Sequence, residues 1–541
     1  MRVPHLFSPV PGSPVGPSLR RSSCVLIALA VGAQVLPAVL GAGARADEPI
    51  KPSEPTLMAE PGDIVDVVDA FDTAKGDPFD LNLSLGFHQS WQRGKIKRES
   101  NLGPDGQEST AGFTHNIENI ATYRHDVSTL NIRADIGLFH DLAVFIRVPL
   151  ILSDSRSMDD LDGSIKAVNG NFGRVADPAT GLPIFKLPFE SPNRSGIDFI
   201  AVGIRWSIFN QWRDHTKPTF TLELEGRFGV GEPLHACNAK PEAVADDVVA
   251  DQKLAKGATY AQCPGLNSDV TNRPLFIGNR WVRNPSLAGR SPGISRGTNA
   301  IRFGALSSNR YRYVEPYGGF WFMAEWQKAN TDMGNFGDLE GIITNRPPLQ
   351  GGLVGGLMIH PWENREQFQR FTIDLRFNGR YVSQGRDYTP LFDALGSSNA
   401  SSLVAINPAG YKADPADPKN SIGNYDRPFA FTGVTDVEAH GSFGGHLGFA
   451  IYAAEFIRFN VGGGFTYVQA HLVSTSDACN PDFSPEVGAA GRCKGSSTVG
   501  TTVVTGAPNP NHRPLIDLPG RRFRVTETYL WDAYVSGTVM F

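Results

Sequence analysis

This chain is poor in several things a soluble enzyme would carry. Its 541 residues include five cysteines, and charged residues make up 19%. After residue 46 no run approaches the ~18 apolar residues a helix needs to cross a bilayer, so spanning helices are excluded. No HExxH, Walker A or EF-hand pattern stands there either. His88, His125, His440 and His446 are scattered, as chance allows in a chain of this size. No catalytic role, cofactor or metal is indicated. The acidic stretch Asp154…Asp159-Asp160-Leu161-Asp162-Gly163 reads as a solvated loop rather than a Ca²⁺ site. An excess of positive charge is also missing. Residues 1–46 take four of the 50 Lys and Arg and none of the 55 Asp and Glu, so the remainder carries a formal −9. A nucleic-acid partner is not suggested.

What is present begins with a leader. Arg20-Arg21 precedes an apolar core over 25–40, interrupted by Pro37, and Ala44-Arg45-Ala46 has the A-x-A form of a cleavage site. Residues 1–46 are therefore expected to be a cleaved signal peptide. Export favours disulfides. Cys237, Cys263, Cys479 and Cys493 fall as two close pairs, which points to Cys237–Cys263 and Cys479–Cys493; three pairings are formally open. Residues 47–78 are expected to be a periplasmic segment. Within it Ile64, Val67, Val68 and Phe71 follow helical spacing against Asp63, Asp66, Asp69 and Asp72. The pattern predicts a short amphipathic helix over 63–72, packed at the inner rim or acting as a plug.

From residue 79 the period changes to two. Leu81, Leu83, Leu85 and Phe87 share one face against Asp80, Asn82 and Ser84. The same alternation predicts twelve strands: 79–91, 116–139, 142–152, 196–209, 217–230, 297–307, 311–327, 351–362, 368–384, 437–454, 456–471 and 524–541. Short links (140–141, 210–216, 308–310, 363–367, 455) alternate with long ones (92–115, 153–195, 231–296, 328–350, 385–436, 472–523). A sandwich has no reason to segregate its loops this way. A barrel crossing a membrane does, with tight turns inside and long loops outside. The apolar rows also begin or end in aromatics, as at Trp91, Trp206, Phe228, Trp326, Tyr467 and Trp531.

With these rows, the leader and an ending in which Tyr529, Trp531, Val535, Val539 and Phe541 share one face, the chain resembles the Gram-negative outer-membrane β-barrels. The resemblance covers residues 79–541 as a pattern. It implies an all-β, antiparallel up-and-down transmembrane barrel of about 12 strands in the cell outer membrane. It further implies that the terminal strand is a signal to the barrel insertion machinery and closes against the first strand. The opposite faces would line the lumen with Arg133, Asp135, Arg147, Arg205, Glu223, Glu225, Arg227, Arg370, Asp374, Arg376, Arg380 and Asp532. Such a wall suits a channel or transporter for small polar or ionic solutes, with loop 231–296 as a gate. The alternative is a structural or adhesin-like barrel with a plugged lumen, acting through its external loops.

Overall fold

The computed structural model describes residues 64–70, 80–100, 116–162, 183–239, 291–328, 331–333, 346–398, 432–475 except 455, and 513–541, with short pieces at 175, 274–277, 280–283, 497–499 and 502–504. Contacts divide the chain at Ala46/Asp47, and every described residue belongs to the second unit.

Twelve strands form one closed sheet. They are β1 Leu81–Ser100, β2 Asn116–Phe139, β3 Leu142–Asp160, β4 Phe199–Phe209, β5 Thr219–Gly229, β6 Thr298–Ser308, β7 Val314–Gln327, β8 Gln350–Asn364, β9 Gln369–Val382, β10 His440–Ala454, β11 Ile457–Val468 and β12 Phe523–Met540. Each pairs antiparallel with the next. The ring closes where β12 lies against β1, with Val539 opposite Leu83 and Trp531 opposite Trp91. Closure leaves the wall no unpaired edge, the condition for a sheet in hydrocarbon. The alternation expected from sequence is the alternation of exposure: Leu83, Leu85, Leu224, Phe303, Leu375, Phe459 and Val535 all point outward and are exposed.

The outward rows carry an aromatic girdle at each end. Phe139, Phe209, Tyr313, Trp362, Phe456 and Phe541 ring the short-turn end, and Trp91, Phe228, Trp326, Tyr381, Tyr467 and Trp531 ring the other. All five residues of the expected insertion signal lie on the outward face of β12 or directly after it.

Two expectations need correction. The first and third strands run well past 91 and 152. Nine residues of β1 follow Trp91, about 30 Å of strand. Here the polarity of the faces inverts. Outward positions become Arg93, Lys95, Lys97 and Glu99, paired with Asp126 and Glu527 on neighbouring strands and with Arg522 just before β12. Inward positions become Ile96 and the buried Arg98. A wall with water outside and a packed interior is the ordinary arrangement of a soluble sheet, so the lipid-facing pattern stops while the strand continues.

The second correction concerns residues 64–70. They form a turn and then extended chain, with Ala70 bridged to His140, and no helix. An extended strap exposes its carbonyls, where a helix would use them internally. Ile64 O accepts from Arg205 Nη2 at 2.9 Å, and Val65 O from Thr221 Oγ1 at 2.7 Å. Asp69 takes Arg213 Nη2 at 2.9 Å. The strap passes so close to Gly137 that a Cβ there would sit 1.8 Å from Asp69 O.

Candidate functional site: a charged lumen between a strap and a cap

The described lumen holds two chambers. The lower, about 540 Å³, lies above the strap and is lined by Ile64, Met358, Thr372, Asp374, Arg376 and His446 among others. The upper, about 590 Å³, is lined by Arg147, Glu225, Arg227, Arg296, Glu325 and Arg380 among others. Arg133, Glu223, Arg302 and Trp321 border both and form the waist.

Nine of the twelve residues expected to line the lumen border these chambers: Arg133, Arg147, Arg205, Glu223, Glu225, Arg227, Asp374, Arg376 and Arg380. Asp135 stands behind Arg133, taking its Nε at 2.7 Å. Asp532 faces His446 and His88 at 3.5 and 3.9 Å. Arg370 is buried deeper in the wall, its guanidinium 4.3 Å from the centre of the Tyr452 ring.

The charges pair across strands, but unevenly. Arg147 Nη2 reaches both oxygens of Glu225 at 2.9 Å, and Arg227 Nε shares that carboxylate. Glu223 serves Arg205 at 3.4 Å and also Arg302. Arg296 bridges Glu325 and Asp387 at 3.1 and 2.8 Å. Arg380 donates to the amide oxygen of Gln350 at 2.7 Å, and among the described residues it has no carboxylate partner. Aromatic faces steady the guanidiniums: Phe199 lies under Arg147 and Arg227, and Trp321 under Arg302. Trp321 itself lies flat because β8 has glycine beside it; a Cβ on Gly352 would come within 2.5 Å of the indole nitrogen.

The outer mouth is filled by packed loops. Ile184, Phe185, Leu187 and Phe189 from one loop meet Leu391, Ala394 and Leu395 from another. They pack with Leu515 and Ile516 against the inward Ile96, Tyr123, Met158, Phe523 and Val525 of the wall. At its centre lies a buried ion pair. Arg194 Nη2 donates to Asp393 Oδ1 at 2.6 Å, and Nη1 to Oδ2 at 3.2 Å. Ser191 Oγ and the Cys237 backbone N–H complete the carboxylate at 2.9 and 3.0 Å. Next to this cap, His125 Nε2 meets Asp154 Oδ1 at 2.9 Å; burial, opposed by this bond, leaves the imidazole below its ordinary pKa.

The gate expected from loop 231–296 has its middle outside the described residues. Its described ends contribute Leu234 and Ile294, both buried. Cys237 is buried. Cys263, Cys479 and Cys493 lie outside the described residues, so the two expected pairings do as well.

A closed antiparallel ring, greasy and aromatic-belted outside and charged within, is the architecture of a barrel that crosses a membrane with strands. No protein-family model matches this chain, and no curated protein matches it. Among solved structures it is similar to a Pseudomonas aeruginosa FadL homologue at 8% identity, over 86% of this chain and 90% of that one, with a TM-score of 0.29. It is similar to the P. putida toluene transporter TodX at 9% identity, over 89% and 94%, with a TM-score of 0.27. It is also similar to the outer membrane protease OmpT from Escherichia coli at 8% identity, over 87% and 100%, with a TM-score of 0.23.

Proposed function

We propose that the chain is an outer-membrane channel or transporter that passes small polar or ionic solutes through its charged lumen. The observation that carries this is the pair of chambers inside a closed wall, lined by guanidinium and carboxylate groups. A barrel filled only for stability would be packed there with side chains. On this reading the structure is the closed state, with the cap across the outer mouth and the strap across the inner one. Passage requires both to move.

The reading extends to the rest of the chain. Residues 1–46 are removed on export, and the insertion machinery reads the row Tyr529, Trp531, Val535, Val539 and Phe541. The disulfides Cys237–Cys263 and Cys479–Cys493 staple the outer loops. No catalytic role is assigned. The packed cap favours one second reading, a binding or structural barrel whose outer surface is the working part. Conductance of the full-length folded protein in planar bilayers separates the two. A channel gives discrete openings, rare at rest and more frequent when the cap is weakened. Silence at all voltages, in a cap-weakened variant as well, refutes the channel.

A further inference from the structure

The upper chamber is lined by six arginines and three glutamates. The acids nearest them are already engaged. Asp135 holds Arg133, and Asp387 with Glu325 holds Arg296. Glu225 is divided between Arg147 and Arg227, and Glu223 between Arg205 and Arg302. Among the described residues Arg380 donates to the Gln350 amide oxygen and makes no ion pair. Each guanidinium brings five N–H donors and no acceptor. Five arginines therefore share two carboxylates and an amide, and the chamber wall carries a surplus of donors and positive charge. The Nε atom of Arg147 is buried without an acceptor among the described residues. Below the waist the wall changes: Trp321, Val354, Met358 and Ala450 give the lower chamber an apolar side.

We propose that the waist and upper chamber bind small organic carboxylates and that the barrel passes them in preference to neutral or cationic solutes of the same shape. The carboxylate would take donors from Arg380 and the shared pair Arg147 and Arg227, in the planar two-oxygen geometry guanidinium favours. The organic body would lie along Trp321 toward Met358 and Val354. Passage rests on the channel reading; binding does not.

The test uses the full chain in detergent micelles and three probes of one shape: benzoate, benzyl alcohol and benzylammonium. Titration calorimetry is expected to give benzoate the tightest binding, with the alcohol roughly tenfold to a hundredfold weaker, the worth of a charged hydrogen-bonded contact. Benzylammonium is expected not to bind. Arg380→Gln should weaken benzoate by a similar factor, and Arg380→Lys by less. Arg147→Gln serves as a second variant, with folding checked by heat-modifiable gel mobility. Equal binding of benzoate and benzyl alcohol by the unaltered protein overturns the proposal without any variant, as does tighter binding of benzylammonium or no benzoate binding. In bilayers a tenfold KCl gradient should give a reversal potential of anion-selective sign, and cation selectivity overturns the proposal. A barrel that binds benzoate but never conducts would sink the channel reading and leave the site standing.

Discussion

Replacing Asp393 by Asn tests whether the cap is a gate. The carboxylate is buried, and its four bonds tie together three segments: Ser191 and Arg194 in one, Cys237 in the second, and Asp393 itself in the helical turn Phe392–Gly396. Asparagine keeps the volume but leaves the buried Arg194 charge without a counter-ion. Breaking a buried pair from one side costs about 3–5 kcal/mol. Lifting the cap would return Arg194 to water, so most of that cost falls on the closed state. At about 1.4 kcal/mol per tenfold, the closed-to-open ratio should fall by about a hundredfold to a few thousandfold. Single-channel recording would read this as open probability, and limited proteolysis of the cap would report it without conduction. The double change Arg194→Met with Asp393→Leu removes both charges at similar volume and should restore closure. If Asp393→Asn folds, opens no more often than the parent and resists protease equally, the cap is not held by this pair and the gating argument fails.

Four further outcomes are expected. Leu85→Arg places a charge in the outward apolar band and should lower barrel stability by about 2–4 kcal/mol in liposome unfolding titrations. Lys97→Ala, above the girdle, should change it by less than about 1 kcal/mol, because exposed ion pairs contribute little. Deleting Phe541 should reduce the inserted fraction in cells while leaving refolding in detergent intact; equal insertion would remove the terminal strand from its signalling role. Burial first, and then the neighbouring His440, hold His471 down to about 4 from an ordinary 6.5. A folded value below the unfolded one means stability is full above about 6.5 and falls as pH drops toward about 4, by up to about 3 kcal/mol. Protease sensitivity of the 471–474 ribbon should rise across that window, and a flat profile would contradict the burial of this ring.

The wall was legible in the chain because its outward rows face one solvent throughout. Leu83, Leu85 and Phe87 mark lipid plainly, and the alternating loop lengths fixed the ring. Legibility ended where the solvent changed. Above Trp91 the strand continues with charges outside and Ile96 inside, so the outward apolar row ends at the girdle. The strap was misread because Ile64, Val67, Val68 and Phe71 match helical spacing, while Val65 and Val67 match extended spacing equally well. Hydrogen bonds to Arg205 and Thr221 decided between them, and no local pattern records a distant donor. The cap did leave a trace. Ile184-Phe185, Leu187 and Phe189, like Leu391-Phe392 and Leu395, are too apolar for loops lying in water. The lumen charges were legible as a set, but which arginine lacks a carboxylate depends on register between strands far apart in sequence.

The height of the wall has a consequence for how the molecule melts. The cap and the strand ends around it stand above the tryptophan level, so water alone drives their packing. The lower ring is held by hydrocarbon outside and a continuous hydrogen-bonded hoop within. One polypeptide thus answers to two solvents. A heat ramp in liposomes should show the crown coming apart first and reversibly, at a temperature indifferent to lipid chain length, while the hoop beneath keeps its circular dichroism until far hotter.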